Sequence, residues 1–166
     1  MTRRGSRLLP VLAVLVVLAA AAAGFGAWRL VRGQMSHLPQ ISAYSRGHTE
    51  RVGPYLYCNV VNLNDCITDG VQGSLAVSKG NPVQLSVPSA ISNAPWRLLK
   101  VYADDRDTTT TLFKPATQLA VTIATVDPRR GRVLGIVVQL MTLVQDQAGE
   151  LHDVPHAEWS VKFDWS

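Results

Sequence analysis

The chain has 166 residues, enough for one ordinary domain and too few for two. It carries 16 basic and 12 acidic side chains, but Arg3, Arg4, Arg7, Arg29 and Arg32 all precede position 34, where no acidic residue occurs, leaving eleven basic against twelve acidic. A nucleic-acid partner needs cations clustered on the folded domain, so this distribution excludes one and reads as membrane topology instead.

Residues 1–7 form a basic stub, and residues 8–28 follow without a single charge. That length suits a helix crossing a hydrocarbon core, and the preceding arginines favour a cytoplasmic N-terminus. A cleaved signal peptide is the alternative, because Ala21-Ala22-Ala23 offers a small-residue cleavage site, although such peptides usually have apolar cores of about 7–15 residues. No cysteine closely follows the apolar stretch, which excludes a bacterial lipoprotein anchor. Either way, the rest of the chain is expected outside the cytoplasm. Within the segment, Ala20/Gly24 and Ala22/Gly26 have the small-xxx-small spacing that lets two helices approach closely in lipid. An alanine-rich composition produces the same spacing without a partner.

Residues 29–53 are polar and broken by proline and glycine, the composition of a stalk, and a domain is expected over 54–166. Cys58 and Cys66 are the only cysteines. In an exported domain an even pair reads as a disulfide, and a hairpin turned about Asn62 would set the two opposite each other. Such a short bridge contributes about 2–3 kcal/mol. A redox-active pair is the alternative, but no cationic neighbour is present to lower a thiol pKa.

Beyond the cysteines, short apolar runs separated by turn residues predict strands. Val83, Leu85 and Val87 alternate with polar residues, as do Trp159, Val161, Phe163 and Trp165. Leu75–Val77, Trp96–Tyr102 and Leu119–Ile123 add three more, and the β-branched run Val133–Val144 reads as a strand buried on both faces. With residues 54–60 this makes about seven strands, and the expected architecture is mainly β, an Ig-like antiparallel sandwich after one N-terminal transmembrane helix. The cysteine spacing departs from the antibody pattern, whose bridge joins two sheets across a much longer separation.

Three features together carry a family resemblance: the single N-terminal crossing, the Tyr57-Cys58…Cys66 pair, and Gly80-Asn81-Pro82-Val83-Gln84-Leu85-Ser86-Val87-Pro88 followed by Ala94-Pro95-Trp96-Arg97-Leu98. In these the chain resembles an uncharacterised family of actinobacterial membrane proteins, known only as a domain of unknown function. The resemblance implies a cell-envelope location and supplies no catalytic residues.

Several side-chain groups are candidates for chemistry. His152 and His156, four apart beside Asp153, could share a metal ion on a strand, but Pro155 between them predicts a loop. Asp104, Asp105 and Asp107 concentrate carboxylates without the ligand spacing of a calcium loop. Thr108–Thr111 before Pro115 resembles an O-glycosylated run, and equally an edge strand. Trp96, Trp159 and Trp165 read as core, with sugar stacking the alternative for the last two. No nucleophile motif is present: Gly73-Ser74 lies outside a G-x-S-x-G elbow. The expectation is therefore a binding protein with no cofactor and no metal, an accessory module of the envelope. Its expected partners are the membrane itself, an integral membrane protein meeting Ala20, Ala22, Gly24 and Gly26, or a lipid or glycan.

Overall fold

The computed structural model describes Val16, residues 19–26, 38–68 and 70–166. Residues 19–26 are helical and exposed, so Ala20, Ala22, Gly24 and Gly26 lie on one helix. Among the described residues no helix is long and apolar enough to cross a membrane. Most of the expected crossing at 8–28 lies outside the described residues, together with the basic stub and positions 29–37.

Leu38–Ser166 is a compact unit of its own, and it is almost entirely β. A four-stranded antiparallel sheet runs in the order β2 (His48–Val52), β1 (Ile41–Ser45), β6 (Val83–Ser86), β9 (Ala120–Ile123). The larger sheet runs β4 (Asn62–Ile67), β3 (Leu56–Asn59), β13 (Leu151–Trp165), β12 (Gly135–Gln145), β7 (Trp96–Val101), β8 (Thr109–Phe113). Its seventh strand, β5 (Gly73–Val77), pairs in parallel with the last five residues of the β13 strand. The short strands β10 (Val126–Asp127) and β11 (Gly131–Arg132) make a separate ribbon.

The period-two pattern explains how the sheets meet. Ile41, Ala43, Val83, Leu85 and Ile123 point inward from the small sheet; Leu98, Ile136, Val138, Trp159, Val161 and Phe163 point inward from the large one. All belong to one hydrophobic core. Trp96 is fully buried and stacks on Phe113 at 4.2 Å between ring centroids, so it packs as core, as the sequence predicts.

Four expectations need correction. Part of the stalk is folded: residues 41–52 form β1 and β2, joined by a two-residue turn in which Arg46 and Gly47 both have positive φ. Apart from Ser45 their polar residues are not buried, and Ile41, Ala43 and Val52 are the only buried apolar ones, too few for an obvious apolar run. Second, the loop predicted at Pro155 is strand. Pro155 opposes Met141 where the β12–β13 register shifts, and a bulge is where a sheet tolerates a residue without an N–H. Third, β12 buries one face fully, through Ile136, Val138 and Leu140, while Val137 and Gln139 on the other are only half-buried. Among the described residues the strand count is thirteen, not seven.

Candidate functional site

The β3–β4 hairpin is the edge of the large sheet, and Cys58 opposes Cys66 across it, bridged by a disulfide. The turn falls at Val60-Val61, just before Asn62. Cys58 is buried, and Tyr57 beside it presents its ring edge-on to both Trp159 and His156, at centroid distances of 6.5 and 6.0 Å. These contacts hold the hairpin root against the core.

Between hairpin and sheet lies a pocket of about 400 Å³, walled by Leu38, Tyr57, Val60, Asp65, Ile67 and His156 together with the backbone of the hairpin. Leu38 is held there through its neighbour: Trp159 Nε1 donates to the Pro39 carbonyl at 2.7 Å, fixing the first residues of the domain on a core side chain. His156 is only 7 % exposed. Its Nδ1 lies 3.3 Å from the Cys58 carbonyl oxygen, which can only accept, so Nδ1 carries the hydrogen. Among the described residues the buried polar side-chain atoms without a partner are Trp96 Nε1 and Thr109 Oγ1, and His156 Nε2 is not one of them.

The other candidates separate in space. His152 is exposed and bonded to Asp146 at 2.9 Å, whereas His156 is buried, so the two histidines do not form one site. Asp146, Glu150 and His152 have potential ligand atoms within 4.8 Å of one another, all exposed. Asp146 is already occupied there, accepting from the backbone N–H groups of Ala148 and Glu150 as well as from His152, and these bonds, His152 first, hold its carboxyl below the ordinary range. Asp104 caps the short 3-10 turn Asp105–Asp107 and pairs with Arg106 at 2.7 Å, which lowers the Asp104 carboxyl. Thr109–Phe113 is the β8 edge strand, with Thr110 and Thr111 exposed.

On the outer face of the large sheet, neighbouring strands place Glu158, Gln139 and Arg97 in one row. Glu158 accepts from the Tyr55 hydroxyl and from Gln139 Nε2 at 2.6 Å; Arg97 pairs with Asp153 at 3.0 Å. Burial, then the Glu158 carboxylate, pushes the Tyr55 hydroxyl up to about 12. A second groove of about 540 Å³ lies beside this row, between Leu112, Met141 and Leu143. Its one charged wall residue, Asp153, is paired with Arg97.

Sequence reasoning paired the cysteines and missed everything they support. Nothing local links Cys58 to His156, which lie 98 positions apart, or Leu38 to Trp159. The one usable signal was the unusual Val60-Val61 at a turn, where polar residues are the rule.

These features define a mainly β domain whose most distinctive surface is a disulfide-pinned edge hairpin over an apolar pocket. The chain belongs to the family described as a protein of unknown function (DUF2771), whose model matches residues 34–164. It is similar to an uncharacterized protein of Mycobacterium bovis and to uncharacterized proteins of two Mycobacterium tuberculosis strains, each 66 % identical over 160 residues, covering 96 % of this chain and 98 % of theirs. The resemblance read from the motifs is thus borne out at the level of the family. No solved structure matches the chain.

Proposed function

We propose that this chain is an accessory module of the cell envelope, tethered by its N-terminal segment with its β domain outside the cytoplasm, and that it works by binding. The observation that carries the reading is the Cys58–Cys66 bridge, since disulfides persist in oxidising compartments and are rare in the cytosol. The uncharged segment at 8–28 behind three arginines supports the same orientation. Two sheets around one core support the Ig-like sandwich expected of such a module. The helical placement of Ala20, Ala22, Gly24 and Gly26 supports an integral membrane protein as partner.

Two measurements test this. Alkylation of free thiols in intact cells, read by mass, should leave Cys58 and Cys66 unlabelled until a reductant is added; labelling beforehand would place the domain in a reducing compartment and end the reading. A crosslinked pull-down from native membranes should recover a stoichiometric membrane protein, lost when Gly24 and Gly26 are both replaced by leucine. Unchanged recovery would rule out that helix face as the contact. The hairpin pocket favours a second reading, an envelope lipid or glycan as ligand, and its apolar walls favour lipid.

A further inference from the structure

We infer that the β8 edge of the large sheet pairs with the β8 strand of a second copy of this chain, antiparallel and in the register that sets Thr111 opposite Thr111. The inference goes beyond the envelope reading and does not depend on it.

A sheet edge offers unpaired backbone N–H and C=O groups to any other strand, and proteins guard their edges with charges, bulges or brevity. The two sheets end at β2, β9, β4 and β8. Glu50 and Arg51 guard β2, while Asp65 and the register shift at Cys58/Asn59 guard β4. The β9 strand has only four residues, and its first carbonyl, at Ala120, already accepts from Gln118 Nε2. None of these devices protects β8. Its residues Thr109-Thr110-Thr111-Leu112-Phe113 include no charge and no proline, and they pair with β7 without a register shift.

The strand is complementary to itself. The Pro95 and Val101 carbonyls accept from the backbone N–H groups of Met141 and Leu134 on the β12 side, so odd-numbered residues of β7 face β12 and even-numbered ones face β8. Through the β7–β8 register, Thr109, Thr111 and Phe113 bond to β7, and Thr110 and Leu112 turn their backbone groups to the open edge. Two such strands about a two-fold axis match Thr110 of each with Leu112 of the other as hydrogen-bonded pairs. Between them Thr111 meets Thr111 as the closer, unbonded pair. Leu112, 57 % exposed, comes to lie beside the second copy's Thr110 on the outer face. The ends match in charge as well. Asp107 precedes the strand and Lys114 follows it, and among the described residues neither belongs to an ion pair. Antiparallel pairing brings each Lys114 to the end that carries the other copy's Asp107, whereas parallel pairing would set like charges together. The arrangement uses both edges and stops at two copies. Five paired residues make a smaller contact than the roughly 1,200–2,000 Å² of a standard interface, so the complex exchanges and is best trapped covalently.

Cys58 and Cys66 are bonded to each other and no free cysteine is present, so a single cysteine added at an edge reports its own neighbour. Intact cells expressing the full-length chain with Thr111→Cys are treated with copper phenanthroline, with Thr49→Cys on β2 and Thr122→Cys on β9 as exposed controls. Facing residues about 4.5 Å apart at Cα lie within disulfide reach, so Thr111→Cys should give a dimer band about tenfold stronger than either control on a non-reducing gel. Adding Leu112→Pro, which removes an outward N–H that β7 does not use, should bring the band down to the controls. Adding Lys114→Asp should weaken it, and Asp107→Lys together with Lys114→Asp should restore it. Mass mapping of the Cys58–Cys66 peptide checks the fold of each variant. A further arm needs no substitution: in the purified full-length chain, hydrogen exchange at Thr110 and Leu112 should slow as concentration rises while that at Thr49 stays constant. Equal bands at all three positions would overturn the inference, as would a band untouched by Leu112→Pro or exchange independent of concentration. So would an adduct of the Thr111→Cys chain with a different protein and no second copy.

Discussion

Removing the Cys58–Cys66 bridge tests how the edge hairpin is held. The bridge closes a loop with a sequence separation of 8, for which chain entropy predicts about 2.5 kcal/mol of stabilisation. The hairpin is attached weakly on its other side: β3 pairs with β13 only through Tyr57 and Leu56, opposite Ala157 and Glu158. Replacing both cysteines by alanine should therefore loosen the hairpin before it unfolds the domain. In the full-length chain in mild detergent, amides of β4 should lose hydrogen-exchange protection while those of β12 keep theirs. The Tm should fall by about 10 °C if the whole 2.5 kcal/mol is felt globally, and by less if fraying absorbs it. A double variant with wild-type Tm and wild-type β4 protection would refute the claim that the bridge constrains the hairpin.

Tyr55→Phe tests the covered outer face. Because the folded-state hydroxyl of Tyr55 titrates near 12 and an unfolded one near 10, the stability it contributes is complete below pH 10 and disappears between pH 10 and 12. Screening by solvent at this partly exposed site limits the effect to about 1 kcal/mol. Urea midpoints of the wild type should fall more than those of the variant between pH 9.5 and 11.5; parallel curves would contradict this. Trp159→Ala should cost about 3–5 kcal/mol by emptying a fully buried site, whereas Trp159→Phe should cost about 1–2 kcal/mol, chiefly the lost bond to Pro39, when both are read by denaturant midpoint. Gly73→Ala should destabilise markedly, because a Cβ there would lie 2.2 Å from Val52 Cγ2; thermal melting reads it, and Val52→Ala should partly rescue it. A double-mutant cycle on Arg97 and Asp153 should return under 1 kcal/mol, as for other partly exposed pairs.

How much of this was legible in the sequence depended on where each signal lay. Alternation announced β6 and the end of β13 because single-sided burial writes a period of two into neighbouring residues. The cysteine pair was readable for the same reason, since its two partners share one hairpin. The β1–β2 hairpin escaped because its polar residues resemble a linker, and the Arg46-Gly47 turn lacks the usual Asn or Asp before the glycine. Pro155 misled because proline weakens a strand in general, while here a bulge 14 positions from its partner Met141 accommodates it. The pocket was the least legible feature. Leu38, Tyr57, Ile67 and His156 meet only through the topology of the large sheet, which no local pattern encodes.

That topology also orders events in time. The C-terminal strand β13 is the shared neighbour of β12, β3 and β5, and the backbone N–H of Ser166, the last residue, still bonds to Val77. Until those 15 strand residues are in place, β12, β3 and β5 each lack a neighbour and the large sheet has no centre. The large sheet therefore depends on contacts between segments far apart in the chain, which form later than local hairpins such as β1–β2. The large sheet closes only once β13 is in place between β12 and β3.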